Sequence, residues 1–199
     1  MSGPTLYYVR HGLTDWNSAR RLQGHRDIPL NERGREQAVK SAMILRELLT
    51  RDGRTPADYD YVSSPLVRAS ETMDIIRKTL GLAPAGYQVD PRLIEIGFGE
   101  WEGLTYADVR KRDKDIVAKR EGNKWLFCPP GGESYDQLAV RMGAWHAALR
   151  ADTVVSAHGG TGRALLAVLG IGPREEVVHH EIDQGVVYVL RGRTLTRHE

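Results

Sequence analysis

Two apolar runs of strand length each end on a histidine that is followed by glycine. Leu6-Tyr7-Tyr8-Val9 delivers Arg10, His11 and Gly12, and Thr153 to Ala157 runs into His158, Gly159 and Gly160. Two other charged groups stand beside turn-forming residues: Arg68, one turn beyond Ser64-Pro65, and Glu95, in the glycine-rich stretch RLIEIGFGEWEG. A neutral imidazole is nucleophilic near pH 7, because its unperturbed pKa is about 6.5. Guanidinium forks match the oxygens of a phosphoryl group bidentately. The amides of Gly159 and Gly160, at a helix start, would add donors and the favourable end of the helix dipole. A carboxyl group can give a proton to a leaving oxygen and later take one from water. Arginines, imidazoles and one carboxylate together suit phosphoryl transfer.

These groups share a site only if the elements carrying them end at one place. Asn31 can cap a helix with Ala38, Ala42, Leu45 and Leu49 on one face, and Gly53 is a stop for it. YDYVSS reads as a strand. Ser64 as cap and Pro65 in the first turn open a helix whose Leu66, Ala69, Met73, Ile76 and Leu80 form a stripe ending at Gly81. An extended piece follows at Gln88 and Val89. Ser134 and Gln137 form a capping box for a helix carrying Leu138, Met142, Trp145 and Leu149 inward. The strand before His158 leads into a helix from about Gly160 to Leu169, and GVVYVL and TLTRH flank Arg191-Gly192 as a terminal strand pair. This alternation predicts an α/β fold, a largely parallel central sheet with helices on both faces. Loops at the carboxyl ends of such strands line the ligand crevice, so Arg10-His11-Gly12, Ser63-Ser64 and His158-Gly159-Gly160 are expected to converge there.

Bulk properties narrow the partners. With 199 residues, 41% of them hydrophobic, the chain suits one domain spanning residues 1–199. Lys and Arg number 28 against 26 Asp and Glu, and a net charge of +2 provides no global field for nucleic acid or a membrane surface. An anionic partner must be held locally. The single cysteine, Cys128, excludes an internal disulfide and fits a reducing compartment. MSGPTLYYVRHG lacks the apolar region of a signal peptide, and no apolar run approaches about 18 residues, so the expected location is the cytoplasm.

In order along residues 5 to 190, RHG, SSPLVRASET, LIEIGFGEWEG, PPGGES, and SAHGG with Arg163 downstream resemble the histidine phosphatase superfamily, the phosphoglycerate mutase-like group. The resemblance implies that His11 is the nucleophile that becomes phosphohistidine. It implies that Arg10, Arg68 and His158 bind the phosphoryl oxygens and that Glu95 is the proton donor. Asn17, in HGLTDWN, would help hold phosphate or position His11, with Gly159 among the phosphate-binding groups. Gln23, Trp101 and Tyr106 are candidate substrate-binding residues; Trp16, Trp101, Trp125 and Tyr106 could wall the leaving group, while a core role is equally open to the tryptophans. No cofactor and no metal is implied.

The family divides into phosphatases and mutases, and mutases usually carry a longer basic insertion after Glu95. Here that segment is compact, and its WEG and PPGGES resemble the branch that includes broad-specificity acid phosphatases and α-ribazole phosphatase. The expectation is a phosphomonoester hydrolase acting on a small phosphorylated metabolite. A cofactor-dependent mutase and a phosphate-binding module without turnover are the alternatives. Glu100 and Glu102 are rival acids to Glu95, with Glu102 read as structural. His179-His180-Glu181 is rejected as a metal site because adjacent histidines on a strand face opposite ways. The basic residues from Arg110 to Arg120 read as a solvated helix face, or else as a receptor for an acidic substrate tail. Oligomeric state is left open, a homodimer included.

Overall fold

The computed structural model describes residues 3–199, the Asp52 side chain apart; Met1 and Ser2, which open the stretch read as lacking a leader, lie outside the described residues. Each stretch read as extended becomes a strand: β1 (Leu6–Arg10), β2 (Asp60–Ser63), β3 (Gln88–Val89), β4 (Thr153–Ala157), β5 (Val187–Arg191) and β6 (Thr194–His198). They form one sheet in the order β3-β2-β4-β1-β5-β6. β3, β2, β4 and β1 are mutually parallel, while β5 and β6 run antiparallel at one edge. The α/β fold with a mostly parallel sheet is thus the observed one.

Strand alternation decides which helix layer each side chain joins. Leu6, Tyr8, Val155, Ala157, Tyr188 and Leu190 point into one apolar cluster, and Tyr7, Val9, Val154, Val187 and Val189 into another. Eight helices surround the sheet among the described residues: α1 (Asp15–Ser18), α2 (Glu32–Leu49), α3 (Val67–Thr79), α4 (Tyr106–Arg112), α5 (Lys114–Gly122), α6 (Tyr135–Ala147), α7 (Gly159–Val168) and α8 (Arg174–Val177). Leu138, Met142 and Trp145 of α6 and Ala164, Leu165 and Leu166 of α7 fill the first cluster. Ala42, Leu45 and Leu49 of α2 and Met73 and Ile76 of α3 fill the second. A third, small core of Trp101, Val109 and Val117 belongs to α4, α5 and the loop before them.

Most helix ends follow their local signals. Asn31 accepts from the Gly34 amide at 3.0 Å, and Ser134 and Gln137 form the capping box of α6. Two ends differ from expectation. α2 stops at Leu49, before Gly53, with Thr50 as its last capping residue, its amide and its hydroxyl both donating to the Arg46 carbonyl; Gly53 closes a separate short turn. α3 begins at Val67, and its cap position is Leu66, which offers no side-chain bond; the hydroxyl of Ser64, the expected cap, bonds His158 at 2.7 Å and also accepts from the Leu66 amide at 3.4 Å.

The start of α2 touches the loop after β1 backbone to backbone. A Cβ on Gly34 would overlap the Leu13 carbonyl oxygen, and one on Gly12 would overlap the Gly34 carbonyl. Neither neighbour can yield without moving the loop that carries His11. Gly34→Ala is therefore expected to destabilise by about 1–3 kcal/mol in urea unfolding, as overpacking does. Gly122→Ala is the control, since its Cβ meets open space at the end of α5; it should change stability by no more than about 1 kcal/mol, towards greater stability.

Candidate active site

Register brings the two histidines together. β1 and β4 pair in parallel with Arg10 opposite Ala157, and the His11 amide donates to the Ala157 carbonyl at 2.9 Å. β2 ends level with them, Ser63 opposite Ser156. The His11 and His158 rings lie 5.1 Å apart between centroids. His11 Nδ1 is 2.7 Å from the Gly12 carbonyl oxygen, which can only accept, so Nδ1 carries the proton and Nε2 keeps its lone pair. His158 Nε2 bonds the Ser64 hydroxyl at 2.7 Å, leaving Nδ1 buried with no partner among the described residues.

The arginines are held by their tips. Arg10 Nη1 donates to the Ile182 carbonyl at 2.9 Å; Arg68 donates to the carbonyls of Arg26 at 2.8 Å and Gly24 at 2.9 Å. Their Nε atoms are buried without partners among the described residues, as is His158 Nδ1. An unpaired buried polar group costs about 1–3 kcal/mol. Two of these groups, Arg10 and Arg68, belong to residues that line the cleft, and His158 lies behind it, its ring 5.1 Å from that of His11.

The cleft, of about 160 Å³, is lined by Arg10, His11, Asn17, Gln23, Arg68, Glu95 and Gly159, with Arg21, Phe98 and Arg163 beside them. Asn17 presents its amide there, its carbonyl oxygen being occupied by the Thr14 amide at 3.2 Å and the Gln184 amide at 3.2 Å. The Glu95 carboxylate caps α7: it accepts from Ile96 at 2.9 Å, Gly160 at 3.1 Å and Thr161 at 3.2 Å. The expectation that the Gly160 amide faces a phosphoryl group is therefore corrected, since that donor is taken by Glu95. The rival acids stand elsewhere. Glu102 ties the loop together through the amides of His25 at 2.9 Å and Phe98 at 3.2 Å, and Glu100 is exposed outside the cleft lining.

Both histidines are held well below the usual value of 6.5, by burial first, then by Arg68, with Arg10 adding to it. Proton NMR titration of the free protein should give midpoints well below 6.5 for both rings, and Arg68→Met should raise them. A His11 midpoint at or above 6.5 would contradict this. The sign for stability follows from the same depression. Below about pH 6.5 the unfolded chain takes up protons that the native rings refuse, so their contribution is fully present above that pH and is lost as pH falls toward the native values.

Two expected substrate contacts are not there. Trp101 is fully buried, bonds Asp113 through Nε1 at 2.8 Å and stacks on Phe127, because it centres the small third core. Tyr106 lies outside the cleft lining; its hydroxyl accepts from Arg120 at 3.2 Å and its ring meets Arg110 and Arg120. Trp125 is likewise core, stacked on Tyr135, and Trp16 packs beside Gly103 outside the cleft lining. Phe98 is the aromatic that reaches the cleft. His179, His180 and Glu181 follow α8 in a turn and not a strand, and among the described residues no three His, Cys, Asp or Glu side chains gather as a metal site would need. Arg110 pairs with Glu121 at 2.6 Å and Arg112 with Asp113 at 2.7 Å on an exposed face. No helix of the described residues is long and apolar enough to cross a membrane.

Gln184 and Tyr8 were not legible as site residues. Gln184 donates to the His11 carbonyl at 3.0 Å, and the Tyr8 hydroxyl donates to the His158 carbonyl at 2.6 Å while accepting from the His158 amide at 3.2 Å. The available signal for Gln184 was its place just before GVVYVL. It points to the site only once β5 is known to run antiparallel, so that its start lies at the carboxyl ends of the parallel strands.

A model of the histidine phosphatase superfamily (branch 1) matches residues 6–196. A 2,3-bisphosphoglycerate-dependent phosphoglycerate mutase of Chelativorans sp. (strain BNC1) is 35% identical over 198 residues, covering 96% of this chain and 93% of the mutase. A glucosyl-3-phosphoglycerate phosphatase of Mycobacterium tuberculosis (strain ATCC 25618 / H37Rv) is 37% identical over 186 residues, covering 85% of this chain and 76% of the phosphatase. Among solved structures, mycobacterial glucosyl-3-phosphoglycerate phosphatase in complex with VO3 aligns with a TM-score of 0.78 at 30% identity, over 94% of this chain and 92% of that one. The α-ribazole phosphatase from Shigella flexneri aligns with a TM-score of 0.76 at 27% identity, over 93% and 89%. A family match along nearly the whole chain, on a sheet whose carboxyl edge carries paired histidines, means that the chain belongs to the histidine phosphatase superfamily, branch 1, as an enzyme of the histidine phosphatase type.

Proposed function

We propose that this enzyme hydrolyses a small phosphorylated metabolite through a phosphohistidine on His11. The observation that carries the reading is the His11 tautomer: a lone pair on Nε2, near three buried nitrogens of Arg10, Arg68 and His158 that have no partner among the described residues. Nε2 attacks phosphorus as the ester oxygen leaves with a proton from Glu95. Water, giving a proton back to Glu95, then displaces His11 and releases inorganic phosphate. Arg10, Arg68 and His158 hold the equatorial oxygens through both steps, and Asn17 and Gly159 complete the anion's surroundings. This is stabilisation by positioned charge, the main demand of phosphoryl transfer.

Hydrolysis is favoured over phosphoryl exchange by the placement of α4 and α5. They gather on their own core of Trp101, Val109 and Val117, and none of their residues lines the cleft. This placement supports access of water to the phosphohistidine. The test is release of inorganic phosphate from a panel of metabolite phosphomonoesters, with and without 2,3-bisphosphoglycerate. Release without that compound, surviving chelation and inhibited by vanadate, is the expected result. Isomerisation that needs 2,3-bisphosphoglycerate, with little release, would make the enzyme a mutase; binding without either reaction would leave a phosphate-binding module.

A further inference from the structure

A second cavity, of about 450 Å³, opens at the amino-terminal ends of the parallel strands, away from the cleft. It forms because β5 and β6 carry the sheet past the cover of α2, leaving Val189, Arg191, Thr194 and Thr196 facing the end of that helix. The floor is apolar, built from Tyr7, Leu48, Tyr59 and Val189, and the rim carries Arg51, Arg54, Arg191 and His198.

Among the described lining residues the charge on this rim is balanced only in part. The single carboxylate among the described lining residues, Asp152, already accepts from the Thr5 amide at 2.8 Å and pairs with Arg54 at 2.7 Å. Arg54 is also fixed 3.9 Å over the Tyr59 ring. Arg51 and Arg191 are exposed, and their side chains have no hydrogen-bond or ion-pair partner among the described residues. Two guanidinium forks without hydrogen-bond or ion-pair partners among the described residues, over an apolar floor, match a group with several anionic oxygens on a compact organic body. The volume falls within the roughly 300–1,000 Å³ of small-molecule pockets.

We propose that this cavity binds a small phosphorylated metabolite, phosphate toward Arg51 and Arg191 and body on Tyr7 and Leu48, at a site separate from the cleft that holds His11. The inference does not depend on the reaction assigned to that cleft. Phenylphosphonate is a suitable probe, since its carbon–phosphorus bond is not a phosphoester. Titrated into the wild-type protein and followed by histidine ring resonances, it should shift His198 saturably, that resonance being assigned through His198→Gln. In Arg51→Ala/Arg191→Ala the response at His198 should weaken about tenfold or more, while the shifts of His11 and His158 persist. Both arginines are exposed, so an unchanged far-UV spectrum is expected for this variant; Arg191→Gln alone should weaken the same response to a smaller degree. No saturable shift at His198, a shift that the arginine variants leave unaltered, or equal affinity for benzoate would overturn the proposal.

Discussion

His11→Ala is expected to lower turnover by more than roughly 10⁴-fold while the protein stays folded; losses on this scale follow removal of a nucleophile in covalent catalysis. The side chain is buried at the carboxyl edge of the sheet, and its one hydrogen bond is the local contact from Nδ1 to the Gly12 carbonyl. Removing it leaves both apolar clusters intact, because neither contains His11. Wild-type enzyme quenched in acid during turnover of labelled substrate should carry no stable phosphate, whereas quenching in base should retain it, since a phosphoramidate is acid-labile. His11→Ala should retain none under either condition. Undiminished turnover in the variant would transfer the attacking role elsewhere, with His158 the first group to examine.

Glu95→Gln is expected to slow phosphorylation of His11 by about 10²–10⁴-fold for an alkyl phosphate, the range typical of general acid catalysis. For p-nitrophenyl phosphate the loss should be far smaller, because that phenolate leaves without a proton. The comparison requires the burst of the first half-reaction, since Glu95 also serves the water step and steady-state turnover would fall for both substrates. The structure adds a control on stability. Glu95 uses both carboxylate oxygens to cap α7, and a glutamine keeps only one acceptor, so the variant should also lose about 1 kcal/mol. Equal slowing of the two substrates would reduce Glu95 to that capping role. A selective loss in Glu100→Gln or Glu102→Gln would move the acid there, against their placement outside the cleft lining.

The amino-acid sequence by itself determined the elements and the order in which they present chemistry. Short apolar runs encode β1 and β4 and helical apolar patterns encode α2 and α6, the capping box of Ser134 and Gln137 included, and glycine after each histidine marks where each strand must end. These signals act over a few residues, and the structure keeps them. Tertiary structure decided which donor meets which acceptor. Ser64 had a local option as a helix cap, but its amide bonds the Ser156 carbonyl where β2 ends beside β4, and His158 offers a buried nitrogen there that would otherwise be unpaired. Gly160 had an amide for an anion, but Glu95, far away in sequence, reaches that helix start first. Trp101 could have walled a substrate or filled a core, and the choice turned on α4 and α5 needing an aromatic to pack around. Gln184 became a neighbour of His11 only through the antiparallel direction of β5. In each case the competing partners lie far apart along the chain, and strand register together with the need to pair buried polar groups selects among them.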